Sequence, residues 1–553
     1  MLGKIAQLLR AWRNQEHAPT TVSAATPGQP LDSDVQSAAA YSAGTEAFAQ
    51  GRFEEAVRHF EHAVECKYDH VAAYNAMGLA WQRLGRFEDA TDAFLTATGL
   101  RPHEADAYFH LGTLYLQLRQ FDGARRCLEQ ALERNPDHVP ALNNLGYLLF
   151  REFDLIVDAE RLIRRALDIT PEALDARCNL GMVLQHAGRL DEALTQYEEV
   201  LRASPGFDEA RLNRALIKLS FGQFASAWPD YEARKQGSTH FVKRPFVFPE
   251  WRDEALAQRG ILVYAEQGLG DELMFASCIP DLLAGADRCV IECSAKLERL
   301  FRRSFPRAAV HGGSQTDVSR EWLKDFPGID MQVPIGSLPL RYRKGPQDFP
   351  LHTGYLKADS ERTQYWRARL AELGPGLKIG ISWRGGTRYT RGALRSLTLE
   401  DLLPLKSIPD AILVSLQYGD CRKELAAMER LHGRAVHHWQ EAIEDYDETA
   451  ALVSALDVVV SVCTAVVHLT GALGKPVCVM VPAVAEWRYQ SDGAKMPWYP
   501  TARLFRQRNG ESWQTVIAAV VEQLRTFAKC STEWGSMTSG FYMRAGHVGA
   551  PKR

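Results

Sequence analysis

The sequence predicts a solenoid of paired helices followed by an α/β region built in two halves, an α + α/β chain. Three observations carry this. Small residues recur with a period of 34 from Gly44 onward. After about residue 240 that period stops, and short apolar runs alternate with helical patterns. The chain of 553 residues is also too long for one ordinary domain, and its 46% hydrophobic and 24% charged residues suit globular folds.

The period is carried by two series. Gly44, Gly78, Gly112, Gly146, Gly181 and Ala215 form the first; Ala56, Ala90, Ala124, Ala159, Ala193 and Ala227 form the second. Each series steps by 34, with one step of 35. Pro102, Pro136, Pro171 and Pro205 follow in phase, and aromatic or leucine positions stand at Phe53, Phe87, Phe121, Phe153 and Leu190. Each unit reads as two antiparallel helices. The small residue of the first helix admits the second, the alanine sits at the crossing, and the proline ends one helix or starts the next because it lacks an N–H to donate. A single pair cannot bury its apolar face, so neighbours must stack. The pattern resembles the tetratricopeptide family, with five full units over 39–205 and a variant unit over 206–235.

Ahead of the repeats, residues 1–14 form a short amphipathic pattern. Leu2, Ile5, Leu8, Leu9 and Trp12 lie on one side, with Lys4, Arg10 and Arg13 basic. It suits a docking or capping helix, or contact with a membrane surface. Residues 15–38 read as a Ser/Thr/Pro-rich linker, so 1–38 precede the repeats of 39–235. There is neither a long uncharged apolar span nor a signal-peptide core. The net charge of −3 gives no global basic footprint for nucleic acid. Ten scattered cysteines form no ribbon or disulfide framework, so a reducing, cytoplasmic setting is expected.

The α/β region divides into halves over 236–350 and 351–530, joined near 340–360, with a tail at 531–553. Strands are expected at 260–265, 289–293 and 308–311 in the first half. In the second they are expected at 378–383, 412–417, 458–462 and 477–482. Helices are expected between them and at 512–526. Continuous apolar runs such as VVVSV mark strands buried on both faces.

Three loops carry chemistry. In EQGLGDE, residues 266–272, Gly268 and Gly270 allow a tight turn, helix-start amides can hold an anion, and Asp271 can accept a proton. The same pattern is also a plain strand turn with an Asp cap. In ISWRGGTRYTRGALRS, residues 381–396, Ser382 and Arg384 follow a strand, with Gly385 and Gly386 beside them. Arginines and free amides there suit phosphate, and Arg384 is nearest the strand end. Arg388 and Arg391 suit a closing loop, or the whole stretch a solvated basic loop. In SVCTAVVHLTGALGKP, residues 461–476, Thr464 and Ala465 open a helix, and His468 lies one turn on. His468 suits a phosphate contact or a buried helix–sheet hydrogen bond; with no partner cluster it is not a metal ligand, and no metal is expected.

Taken together, EQGLGDELMFA, GISWRGG, SLQYG, SALDVVVSVCTAVVHLTGALGKPVCVMVP, WRY and PWYP make residues 260–526 resemble the bacterial heptosyltransferase-like glycosyltransferases, especially members fused to tetratricopeptide repeats, flagellin glycosyltransferases among them. The resemblance implies a GT-B-like pair of nucleotide-fold domains. It implies Asp271 as general base and Gly268 and Gly270 as its loop backbone. Donor contacts would come from Ser382, Arg384, Gln417, Tyr418, Thr464, Ala465, His468 and Arg488, with Glu441 and Asp445 bordering the donor pocket. Trp487 and Tyr489 suit interdomain packing. Asn144, Asn179 and Asn213, each two residues before the small residue of its unit, would hold the backbone of an extended acceptor, or else bond across neighbouring helices. Cys463 stands where the family has aspartate, and a protonated thiol cannot reproduce a carboxylate.

The implied activity is transfer of a sugar from a nucleotide-sugar donor to Ser or Thr hydroxyls of a protein such as flagellin, with inversion the simplest outcome and no cofactor besides the donor. Two other readings stand beside it: transfer to a glycan or lipid-saccharide, and a repeat-mediated interaction protein with a degenerate transferase domain.

Overall fold

A computed structural model of the chain describes residues 33–237, 241, 244, 246–314, 319–386, 392–433 and 436–531. The expected helix of 1–14, Arg388, Arg391 and the tail beyond Ser531 lie outside the described residues. The chain forms two compact bodies, divided between Pro171 and Glu172.

The first body is four helix pairs: Ser33–Ala49 with Phe53–Cys66, Val71–Arg83 with Phe87–Leu100, Ala105–Gln117 with Phe121–Arg134, and Val139–Phe153 with Ile156–Ile169. The recurring small residue does what its period predicts. A Cβ at Gly44 would lie 2.5 Å from the Phe60 ring, at Gly78 2.6 Å from Phe94, at Gly112 3.0 Å from Leu128 and at Gly146 2.6 Å from Ile163. Any side chain there would push the second helix away. Ala56, Ala90, Ala124 and Ala159 are fully buried at the crossings. The first helix begins at Ser33, inside the stretch read as linker: Ser37 is buried and its hydroxyl donates to the Ala63 carbonyl at 2.7 Å.

The second body opens with Leu174–His186 paired to Leu190–Ala203 and Asp208–Ser220 paired to Phe224–Tyr231, ending in the short Arg234–Gly237. Gly181 repeats the rule, 2.5 Å from Tyr197 for an added Cβ. The last pair is fused to the α/β part of the body. Trp228, 1% exposed, donates its indole N–H to the Arg343 carbonyl at 2.7 Å. Arg234 makes a buried two-point pair with Glu266, at 2.9 and 2.7 Å.

Two sheets complete this body. The first has β1 Gly260–Tyr264, β2 Arg288–Ser294, β3 Ala309–Gly313 and β4 Met331–Pro334, all parallel in the order β3-β2-β1-β4. The second has β5 Lys378–Ser382, β6 Ile412–Ser415, β7 Val436–His437, β8 Val458–Val462, β9 Val477–Val481, β10 Lys495–Met496 and β11 Tyr499–Arg506. Its order is β10-β11-β9-β8-β5-β6-β7, parallel except for β10 against β11. The central strands β1, β5, β8 and β9 are buried at every position, as strands covered on both faces must be.

Strands β4, β7, β10 and β11 were not expected from the sequence. β7 and β10 are two residues each, β4 ends on Pro334, and β11 mixes Arg and Thr with apolar residues at a sheet flank. Residues 400–407 wind as 3-10 turns rather than an α-helix, with Pro404 inside them. The last helix, Trp513–Ser531, runs five residues past its expected end at 526. Among the described residues no helix is long and apolar enough to cross a membrane.

Strand order locates the crevices. In the first sheet the chain steps from β1 outward to β2 and β3, then returns to the other side of β1 for β4. In the second it steps from β5 to β6 and β7, then returns to the other side of β5 for β8. At such reversals the loops leaving the strand ends diverge and open a crevice. The reversal loops are 265–268 after β1, 383–386 after β5 and 463–464 after β8.

Candidate functional site

The loop after β1 is held from below. Glu266 is fully buried, paired with Arg234 and accepting the Gly336 N–H at 2.8 Å. The Gln267 amide donates to the Tyr231 hydroxyl at 3.0 Å. Gly268, in extended backbone, opens the helix Leu269–Phe275, and its carbonyl accepts from the N–H groups of Asp271 and Glu272 at 2.9 and 3.1 Å. This helix packs on Ala465–Ala472, which follows β8. The contact is close at the start of both: a Cβ at Gly270 would lie 3.2 Å from the His468 ring and 3.6 Å from Ala465 Cα. The two sheets thus present their reversal loops to each other.

The loop after β5 joins the same place through its backbone. A Cβ at Gly385 would lie 2.6 Å from the Thr464 methyl and 3.0 Å from the Cys463 carbonyl. Thr464 caps the helix Ala465–Ala472 in extended backbone, and its hydroxyl is 3.1 Å from that of Ser461.

The side chains of the β5 loop point elsewhere. Ser382 is fully buried and 3.4 Å from the Gln417 amide oxygen. That oxygen also accepts the Trp383 and Arg384 N–H groups at 3.0 and 2.9 Å, and the Gln417 nitrogen donates to the carbonyls of Arg384 and Tyr418 at 3.1 and 3.0 Å. Gln417 is therefore a brace for the loop, with both ends of the amide expected to touch nucleotide engaged by backbone. Arg384 is likewise turned toward the helix Arg422–His432: its guanidinium donates to Glu424 at 2.7 Å and to the Asp420 carbonyl at 2.9 Å. Tyr418 is 48% exposed beside this brace.

A line of four charges runs from Asp271. Arg488 donates through Nε to Asp271 Oδ1 at 2.8 Å, with a second guanidinium N–H on the same oxygen. Its far side lies 3.4 Å from Glu486 Oε2, and Glu486 Oε1 accepts from Arg395 at 2.6 Å. Burial works against the charge on Arg488, but Asp271 and Glu486 outweigh it and hold the guanidinium protonated more firmly than in water. Beneath this line His468 is buried, its Nδ1 3.1 Å from the Tyr499 hydroxyl. Burial, with Arg488 and Arg395 nearby, brings its pKa down to about 3, so the ring is neutral at physiological pH. Cys463 is also buried; burial, then Glu486, pushes its thiol up to about 12, and its sulfur donates to the Met480 carbonyl at 3.7 Å. It is a neutral packing residue that supplies no carboxylate.

A tetratricopeptide repeat family matches over residues 41–105, 75–125, 109–174, 156–206 and 178–238. Protein FlbA of Caulobacter vibrioides is 30% identical in a match that covers 71% of this chain and 74% of that protein. The chain belongs to the FlbA family. Among solved structures, pilF of Pseudomonas aeruginosa is 15% identical with a TM-score of 0.34, covering 37% of this chain and 92% of that one. A thermophilic TPR protein of Thermus thermophilus is 24% identical with a TM-score of 0.29, covering 33% and 99%.

In this FlbA-family chain the segment carrying Glu486 and Arg488 rests on the last repeat helices. Ser491 donates its N–H and its hydroxyl to the Ser220 carbonyl at 2.8 and 3.1 Å. Trp487 lies against Trp228 and Tyr231, with ring centres 6.0 and 5.9 Å apart, the packing expected of it. Arg395 and Glu486 were missed in the sequence. Arg395 sat within the basic stretch already singled out, but Arg384, nearer the strand, drew the assignment; Glu486 had no signal beyond adjoining WRY.

The remaining expected residues stand apart from this line. Glu441 pairs with Arg369 at 2.6 Å. Asp445 pairs with Arg299 and Asp447 with Arg303, joining the helix after β2 to the helix before β8. Asn144 lies in the first body and Asn179 and Asn213 in the second, each half-buried on the first helix of its pair. Among the described residues no three His, Cys, Asp or Glu side chains gather as a metal site requires.

Proposed function

We propose that this FlbA-family chain is a glycosyltransferase with a GT-B-type cleft, which moves a sugar from a nucleotide-sugar donor to Ser or Thr hydroxyls of an acceptor protein. The observation that supports it most is the contact of Gly270 with His468 and Ala465. It brings the helix carrying Asp271, which Arg488 holds, against a helix start, as a base and a phosphate site need to be for group transfer.

The acceptor oxygen attacks the anomeric carbon as the bond from that carbon to the phosphate oxygen breaks. The proton passes to Asp271, and the electron pair leaves with the nucleotide. Negative charge therefore grows on phosphate, where the Thr464 hydroxyl, the free amides of the helix start and Arg488 can stabilise it. Asp271 can act as base only once Arg488 releases it, since two guanidinium N–H groups occupy its Oδ1. Ala465 lends its backbone to this site, and the neutral His468 supports the helix from below. Inversion at the anomeric carbon is the simplest course. The donor is the only small molecule required.

The repeats favour a polypeptide over a small glycan or lipid-saccharide as acceptor, with Asn179 and Asn213 of the second body as its backbone contacts. Flagellin is the acceptor to test first. One observation favours a second reading, an interaction protein whose transferase domain is inactive: Cys463 leaves the site without the carboxylate that the resembling enzymes have there.

Intact-mass measurement decides between them. Flagellin and native protein extract are incubated with the chain and a panel of UDP-, GDP-, ADP- and CMP-linked sugars. A mass shift of a protein acceptor is expected, with the rate lowered about 10²–10⁴-fold in Asp271→Asn, the usual contribution of a general base. Absence of any shift would favour the interaction protein, and equal rates would remove Asp271 from the base role.

A further inference from the structure

The line of charges is balanced in a way that an anion site should not be. Arg395 and Arg488 carry two positive charges, and Glu486 and Asp271 carry two negative ones. The side chains are 11%, 17%, 26% and 16% exposed in that order, so water screens them only in part. Glu486 stands between the arginines, 2.6 Å from one and 3.4 Å from the other, and the hydrogen bonds of its carboxylate go to them. Among the described residues, the other titratable groups near the cluster are His468 with its pKa down at about 3, Cys463 with its thiol up at about 12, the buried phenols of Tyr489 and Tyr231, both raised by burial, and Arg506, whose guanidinium donates to the carbonyls of Gln490 and Asp492.

A carboxylate held between two arginine forks occupies the place that a phosphate would take. Both present oxygens to planar N–H donors, and phosphate offers more of them and more charge. Glu486 is also the most exposed of the four, on the segment between β9 and β10, so it is the member most easily swung aside.

Resting on the transferase reading, we propose that Glu486 is a placeholder for the phosphate of the leaving nucleotide. That phosphate binds Arg395 and Arg488 by displacing the Glu486 carboxylate, and in drawing Arg488 toward itself it frees Asp271 for the acceptor. Base activation thus follows donor binding. The chemistry recognised is the phosphate of a nucleoside mono- or diphosphate.

Calorimetric titration tests this with CMP, UDP, GDP and ADP against the wild type, Arg395→Met and Glu486→Gln. For whichever nucleotide the wild type binds, Arg395→Met should weaken binding about tenfold or more, the scale of a lost charge-assisted hydrogen bond. Glu486→Gln should tighten it about three- to tenfold, because a competing anion is gone. A merely structural or sugar-binding Glu486 would give the opposite sign. Unchanged or weaker binding in Glu486→Gln, or unchanged binding in Arg395→Met, overturns the inference while leaving the transferase reading in place. Failure of the wild type to bind any of the four nucleotides overturns both. Should Glu486→Gln prove unfolded by thermal melting, Glu486→Ala carries the same expected sign. A response to CMP alone identifies a monophosphate leaving group, and a response to UDP, GDP or ADP a diphosphate; either supports the placeholder role if the two variants move as stated.

Discussion

The repeat helices and the crevice both rely on glycines at close approaches, but over different lengths of chain. Gly78 meets Phe94 in the very next helix, and the same contact recurs at Gly44, Gly112, Gly146 and Gly181. Gly385 meets Thr464 and Gly270 meets His468 across separate strands, and the ion pair they frame, Asp271 with Arg488, joins residues 217 apart. A repeat contact is local and copied, so losing one leaves the others. A crevice contact exists once, and three loops depend on it.

Gly385→Ala should break this comparison most visibly. Its new methyl would press on the Thr464 methyl and on the rigid Cys463 carbonyl, so overpacking should cost about 1–3 kcal/mol and displace the helix start. Nucleotide affinity by calorimetry should fall by more than the melting temperature suggests. Gly78→Ala should cost a similar 1–3 kcal/mol, since its methyl would meet the buried Phe94 ring. Here nucleotide affinity should be unchanged; a loss of affinity would mean that the first body supports the crevice.

At neutral pH the last effect is silent, and it appears only in acid. The folded pKa of His468, about 3, lies below the unfolded 6.5 because burial, then Arg488 and Arg395, disfavour its charge. Its stabilising contribution is therefore complete above about pH 6.5 and is lost as pH falls toward 3, where the unfolded ring binds a proton first. Denaturant unfolding between those values should show a shallower acid loss in His468→Asn than in the wild type. The transfer rate should show no inflection from this ring near neutrality.

The repeats were legible because their contacts are local: a small residue and its buried partner recur in phase, so spacing alone announces them. The strands β1, β5, β8 and β9 were legible for a related reason, since burial on both faces leaves an unbroken apolar run. β7 and β11 were not, because a two-residue edge and a polar-mixed flank owe their hydrogen bonds to a neighbour already in place. Asp271, Thr464 and His468 were singled out in their loops, and the fold brings those loops together. Gln417 and Arg384 were assigned to ligand but face backbone and Glu424, and Arg395 and Glu486 were passed over.

The sequence by itself determined which segments fold as helix pairs, which form buried strands, and that glycine-rich loops leave three of those strands. Tertiary structure alone decided that these loops meet, that Arg488 rather than Arg384 reaches Asp271, and that Glu486 sits between two arginines. The physical reason is that periodicity records contacts between near neighbours in the chain, whereas the direction of a long charged side chain is set by whichever opposite charge the strand order brings within reach.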